Sequence, residues 1–293
     1  AGAPKFGGAR EVFNVIDSRQ AYPQQVVVAG LRALGHAEEA DHLKHFSYNV
    51  VALTPRCALE MGYEIPPEDA KKPYIEVSGR KGQGVKADDL IDQLIARAGE
   101  ETAARHPEMK DTAEFHDMVN KIAIGALRYF LLRFARSTVI AFDFKDALNF
   151  EGETGPYAQY AVVRTNGIQR KWSEGEEDLR KADIENYVLM EKGKLDLTKL
   201  LAAPGENDIW ELVVLAGSLD ARIDAVLGAQ EPAFLARYAF ELAQAFNVFY
   251  HKHPILAEEN AEKRAFLLRV TGLVHEQLAT ALELLGIAAP EKM

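Results

Sequence analysis

The stretch FEGETGPYAQYAVVR, residues 150–164, constrains this chain more than any other, because it must leave a turn and enter a helix within a few residues. Thr154 or Gly155 is suited to cap that helix, and Pro156 to its first turn, where a missing N–H deprives no carbonyl of a partner. At 3.6 residues per turn, Ala158, Ala161, Val162 and Thr165 share one face, small enough for a neighbouring helix to approach closely. Tyr157, Tyr160 and Arg164 fall at i, i+3 and i+7 in a narrow arc beside it. Two rings and a guanidinium on one helix edge can stack unpaired bases. The same pattern also suits two amphipathic core tyrosines beside an arginine that reaches out to solvent. The residues alone leave both readings open.

Downstream, apolar residues recur at spacings of 3 and 4, as in Leu235, Tyr238, Ala239, Leu242 and Phe246. The spacing predicts helices over about 183–190, 209–227, 232–249 and 261–285, with an acidic loop at 173–178, and so an antiparallel bundle. Upstream, residues 11–16 (EVFNVI) read as a strand and 23–34 as a helix stopped by Gly35, half of a βα unit. Gln20 lies beyond the strand's C-terminal end, where open α/β sheets bind ligands, and its amide can both donate and accept. A helix over 37–46 and strands near 48–53 and 74–77 follow. His42 and His45 would be solvated on that helix, since a zinc site needs more ligands than this neighbourhood offers. Leu90, Ile91, Leu94, Ile95 and Ala98 mark one further helix face, and 112–135 another helix with Arg128, Tyr129, Arg133 and Arg136 near its end. Those cations complement the dipole of their helix.

After the strand at 74–77 comes Ser78-Gly79-Arg80-Lys81-Gly82-Gln83-Gly84. Such a loop can bring backbone N–H groups and two cations to a polyphosphate, although it is no Walker A sequence; a basic surface turn is the plainer alternative.

The totals bound these readings. With 293 residues the chain has room for two modest domains, and 34 Lys and Arg against 44 Asp and Glu leave a net charge of −10. That balance argues against generic polynucleotide binding and leaves room only for local basic patches on an acidic body. A single cysteine, Cys57, excludes an intrachain disulfide framework and a cysteine-rich zinc site, in keeping with a reducing cytoplasmic setting. No apolar run reaches membrane-spanning length. The small, flexible opening residues without an initiator Met read as a cut or processed end.

The wording F-E-G-x-T-G-P-Y-x-Q-Y-A-x-x-R resembles the junction between the catalytic and anticodon-binding domains of arginyl-tRNA synthetases. S-G-R-K-G followed by Val85-Lys86-Ala87-Asp88-Asp89-Leu90 resembles that family's form of the class I KMSKS loop, with Gly79 where threonine is usual. Asn247-Val248-Phe249-Tyr250 and the ending, Leu284 to Met293, resemble the family's final bundle to its last residue, which implies a natural C-terminus. The resemblance implies a mainly α chain with an α/β part. Residues 1–150 would be the back of a Rossmann-type catalytic domain with the ATP loop at 78–82, and 151–293 an all-α anticodon-binding bundle.

By the same resemblance Lys81, supported by Arg80 and Ser78, meets the phosphates of ATP and its Mg2+, with Gly79 and Gly82 shaping the loop. Gln20 holds the arginine substrate, and Tyr157, Tyr160, Arg164 and Met293 lie at the anticodon loop of tRNA-Arg. The second ATP motif of the class, H-x-G-H, does not occur in this sequence. A piece of a full synthetase, a subunit completed by an N-terminal catalytic half, and a non-catalytic tRNA-binding or assembly module remain as alternatives.

Overall fold

The computed structural model describes residues 9–75, 85–110, 112–197 and 207–293. The chain divides into two compact units, one of Ala1–Ser78 with Phe134–Phe142, the other of Gly79–Arg133 with Asp143–Met293.

In the first unit, β1 (Val12–Asp17) runs parallel to β2 (Leu43–Tyr48), in register from Val12↔Leu43 to Asp17↔Tyr48. Between them lie a 3-10 turn (Ser18–Gln20), α1 (Ala21–Ala33) and α2 (Ala37–Asp41). A separate parallel pair joins β3 (Val51–Leu53) to β4 (Ile140–Phe142), with α3 (Pro55–Glu60) following β3 and Ile75 bridging to Leu53. The helix expected over 37–46 therefore stops at Asp41. From Leu43 the chain instead pairs with β1, and its Phe46 and Tyr48 favour a strand, although burial along it does not alternate. His45 accordingly sits in a strand, half-buried, with Nε2 3.1 Å from the carbonyl of Ile16, and does not share a helix with His42. Of the strand expected over 74–77, the described residues show only the bridge at Ile75.

Parallel strands need cover on both faces, and among the described residues the β1–β2 pair and its helix α1 show little of it. No residue of α1 is buried, and Val15, Tyr22, Val26 and Leu34 are each more than half exposed.

The second unit is helical: α4 (Ala87–Arg105), α5 (Ala113–Leu132), α6 (Phe144–Ala147), α7 (Gly155–Ser173), α8 (Glu177–Glu191), α9 (Asn207–Ala216), α10 (Leu219–Ala229), α11 (Ala233–Lys252) and α12 (Ala261–Leu284). The single helix expected over 209–227 is broken at Gly217-Ser218, where glycine weakens the helix and the Ser218 hydroxyl donates to the carbonyl of Leu215 at 2.7 Å. The loop expected at 173–178 shrinks, because α7 runs to Ser173 and α8 starts at Glu177.

Leu235, Tyr238, Ala239, Leu242 and Phe246 of α11 are all buried, against Leu267, Val270, Val274 and Leu278 of α12. Two buried phenols are satisfied within this core. Tyr129 donates to the carbonyl of Ala236 and Tyr238 to that of Ala216, both at 2.8 Å, and desolvation pushes both phenol pKa values far up. α5 and α7 touch backbone to backbone: a Cβ placed on Gly155 would lie 2.4 Å from the carbonyl oxygen of Gly125. Gln159, fully buried on α7, ties this crossing to the C-terminal tail by donating to the carbonyls of Lys121 (2.8 Å) and Ala288 (2.7 Å). No helix among the described residues is long and apolar enough to cross a membrane.

Candidate nucleic-acid interface

The site grows from the start of α7. Thr154 is the N-cap: its hydroxyl oxygen accepts from the Tyr157 N–H at 3.3 Å while donating to the carbonyl of Asn149 at 2.6 Å, and Pro156 occupies the first turn. The cap fixes the rotation of the helix. Ala158, Ala161, Val162 and Thr165 are then all buried, as their spacing predicts. Fixing that face leaves Tyr160 and Arg164 on the outer edge.

Tyr157 behaves differently from Tyr160. Its ring lies half-buried against the core, 5.5 Å from that of Phe240, so it contributes to packing. Tyr160 is 37% exposed. The Arg164 guanidinium lies between two rings, 4.8 Å from the centroid of Tyr160 and 4.8 Å from that of Tyr250 on α11. It donates to Asn247 Oδ1 at 2.9 Å and to the Tyr160 hydroxyl at 3.2 Å. The fork is thus held in one orientation by cation–π and hydrogen-bond contacts together.

This clamp borders a groove of about 770 Å3 that Met293 also lines. Arg170, Lys171 and Lys292 add cations to its walls, and Glu291 is the acidic side chain among them. His251 and His253 line the end where α11 stops. His253 is set against the Phe249 ring at 5.1 Å and reaches Asp208 at 3.4 Å, so its ring position is fixed from behind. Burial tends to raise the Asp208 pKa, but the Lys252 hydrogen bond at 3.0 Å and His253 outweigh it and hold the carboxyl below its ordinary value. Flat rings, a fixed guanidinium and cations on a concave wall suit unstacked bases and their phosphates.

Of the other sequence-derived residues, Gln20 is exposed and ends the 3-10 turn just past β1, beside an Asp17–Arg19 ion pair of 2.8 Å. Ser78, Gly79, Arg80, Lys81 and Gly82 lie outside the described residues. The arginines after α5's midpoint are engaged within the protein: Arg128 donates to the carbonyl of Gly286, Arg133 to that of Glu153 at 2.5 Å, and Arg136 to that of Ser47 at 3.0 Å. Tyr129 is in the core. The stretch Asn247–Tyr250 carries part of the family resemblance, but Asn247 and Tyr250 were given no site role from sequence. Their i, i+3 spacing, off the apolar face of α11, was the available sign. Among the described residues no group of three or more His, Cys, Asp or Glu side chains is placed to hold a metal ion.

The model of the DALR anticodon binding domain matches residues 158–293. The arginine–tRNA ligase of Pyrococcus abyssi is 32% identical over 293 residues, spanning 99% of this chain and 41% of that protein. An arginine–tRNA ligase of Thermus thermophilus is 33% identical over 293 residues, spanning 97% of this chain and 42% of the relative. The solved Thermus thermophilus arginyl-tRNA synthetase superposes with a TM-score of 0.70 at 26% identity, over 97% of this chain and 41% of that one. The chain therefore spans about two-fifths of the length of these relatives.

The helical C-terminal part of the chain is thus similar to the DALR anticodon binding domain. The chain as a whole, mainly α with an α/β part, is homologous to the C-terminal part of arginyl-tRNA synthetases.

Proposed function

We propose that this chain supplies the tRNA-recognition part and the ATP-loop part of an arginine–tRNA ligase. The observation that carries the reading is the Arg164 clamp between Tyr160 and Tyr250, set in a cationic groove on an acidic protein. In this reading the groove takes unstacked bases of the tRNA-Arg anticodon loop. Tyr160 and Tyr250 offer stacking faces, Arg164 and Asn247 offer polar atoms to base edges, and Lys171 and Lys292 meet phosphates. Met293 closes one side. Tyr157 holds the platform from beneath. Functionally, residues 1–150 belong to the catalytic part and 151–293 to anticodon recognition.

The reaction is adenylation of arginine by ATP, followed by transfer of the arginyl group to the terminal ribose of the tRNA with release of AMP. The substrate carboxylate attacks the α-phosphorus, pyrophosphate leaves, and no protein nucleophile is needed. Lys81, with Arg80 and Ser78, neutralises charge on the leaving phosphates, Gly79 and Gly82 let the backbone approach them, and Gln20 orients the amino acid. Mg2+ bound with ATP would add charge neutralisation at those phosphates.

A binding experiment tests the carrying observation. The purified chain should bind a tRNA-Arg transcript more tightly than the same transcript with its anticodon replaced. Equal affinity for the two would refute anticodon recognition by the groove. Arginylation should require the N-terminal catalytic half. Steady arginylation by the 293-residue chain alone would overturn the assignment of roles.

A further inference from the structure

A second cavity, of about 700 Å3, opens between α7, α8 and α12, and the reading above makes no use of it. One wall is the indole of Trp172, and its orientation is fixed. Trp172 Nε1 donates to Asp183 Oδ2 at 3.0 Å, and the other oxygen of that carboxylate takes the Arg264 guanidinium, Nε at 2.9 Å and Nη2 at 2.8 Å. Asp183 is 3% exposed, so its charge is neutralised inside the protein and does not repel an anion in the cavity. The indole's single donor is occupied, and what remains to a ligand is its π surface.

Opposite lie Tyr187 of α8, with the Arg269 guanidinium 5.9 Å from its ring centroid, and Gly272, whose missing side chain keeps the cavity open. At the rim the polar groups are uncommitted. Among the described residues, Arg170, Asn166 and Gln169 make no side-chain hydrogen bond or ion pair, and Arg269 has only a distant approach to Glu191, at 3.9 Å.

This composition selects its ligand. A cation is repelled by Arg170 and Arg269. A bare phosphate makes no use of the rings, and an uncharged apolar group makes no use of the guanidinium groups or the amides. A planar heterocycle with hydrogen-bonding edges and an attached phosphate uses all of them. Arg170 lines both this cavity and the first groove, so the two meet along α7. At 1.5 Å per residue, Tyr160 and Arg170 are about 15 Å apart along the helix axis.

We propose that the cavity is a second nucleotide subsite, holding one unstacked base and its phosphate from the same RNA strand that occupies the groove. The inference rests on the RNA-binding reading above, but its chemistry can be tested separately. The chain has two tryptophans, Trp172 and the exposed Trp210. In a Trp210→Phe background, Trp172 fluorescence should be quenched saturably by nucleoside 5′-monophosphates, and not by ribose 5-phosphate or inorganic phosphate. Tyr187→Ala and Gly272→Leu should each weaken that response about tenfold or more, and should lower affinity for a tRNA-Arg transcript by a similar factor. Tyr187 is 38% exposed, so its removal leaves folding intact; Gly272→Leu is checked by circular dichroism.

A response to phosphate alone, or none to mononucleotides at millimolar concentration, overturns the subsite. Mononucleotide binding lost in both variants with tRNA affinity unchanged overturns its assignment to the RNA strand and leaves the groove reading standing. Conversely, quenching that persists while Tyr160→Ala has no effect on tRNA would count against the groove and leave the cavity's ligand class supported.

Discussion

Tyr160→Ala separates recognition from packing more cleanly than any other change. The ring is 37% exposed, and its specific contacts are one cation–π approach of 4.8 Å and one hydrogen bond of 3.2 Å, both to Arg164. Exposed contacts of these kinds contribute about 0.5–1 kcal/mol. For a unit of this size that corresponds to a fall in Tm of roughly 1–4 °C. If the same ring stacks a base, its loss should cost about 1–3 kcal/mol of tRNA affinity, which is roughly 5- to 150-fold in Kd. The affinity effect therefore exceeds the stability effect.

Tyr157→Ala provides the opposite pattern. Its ring packs on Phe240 at 5.5 Å and against the core, so it should lose about 2 kcal/mol or more of stability. Its tRNA affinity, measured well below the transition, should change little. Calorimetry and filter binding on both variants decide the matter. A Tyr160→Ala protein that melts early yet binds tRNA-Arg normally in the cold would refute the recognition edge.

The remaining predictions concern the loop, the helix crossing, a buried histidine and the uncovered sheet. In the complete enzyme, Lys81→Ala should slow ATP–pyrophosphate exchange by about 10²–10³, the scale for one aimed electrostatic donor; an unchanged rate would transfer the role to another cation. Gly155→Ala should destabilise by about 1–3 kcal/mol or more in guanidinium titration, because its Cβ would meet the Gly125 carbonyl at 2.4 Å. An unshifted midpoint would mean that α5 and α7 can separate at no cost. His275 is half-buried with Nδ1 2.9 Å from the Thr165 hydroxyl, which itself donates to Val162, and burial lowers its pKa against a smaller opposing effect of Glu276. The unfolded chain then takes up a proton at higher pH than the folded one. Stability should fall as pH drops through the ordinary histidine value toward the folded one, and His275→Gln should flatten that part of the Tm–pH curve. Finally, with Val15, Tyr22, Val26 and Leu34 open to solvent, the chain by itself should bind a hydrophobic dye or self-associate, and the N-terminal catalytic half proposed above should suppress this. Dye binding that the other half leaves unchanged would place the missing cover elsewhere.

Local chemistry made the organising helix legible. A threonine before Gly-Pro fixes a start, the start fixes rotation, and rotation settles which of Ala158, Tyr160, Val162 and Arg164 face inward. The same logic reached the α11 stripe, because spacing is a local property. It failed at residues 42–48, where an acidic helix passes directly into a strand with no glycine or proline between, so nothing local marks the change of period. Tyr157 and Tyr160 could not be told apart by arc position, since what divides them is Phe240, far along the chain. The role of Asn247 and Tyr250 at the clamp escaped for the same reason: their partner, Arg164, lies on another helix, and only tertiary packing joins them. Met293 was reached through resemblance alone, and the structure places it on the groove that Tyr160 and Arg164 line.

The acidic balance of the chain acquires a role under the proposed function. Non-specific RNA affinity comes from the number of phosphates neutralised, whereas stacking and edge contacts need the right unpaired bases. On a body of net charge −10, the groove brings Arg164, Arg170, Lys171 and Lys292 together against a surface that otherwise carries an acidic excess. With a screening length of about 8 Å at physiological salt, distant acids do little to an RNA already seated at the clamp, yet they oppose docking of a backbone against other faces. Such a surface gains discrimination by staying weak toward generic RNA. Binding then depends on the rings of Tyr160 and Tyr250 being met by bases that are free to stack, which a closed duplex cannot provide.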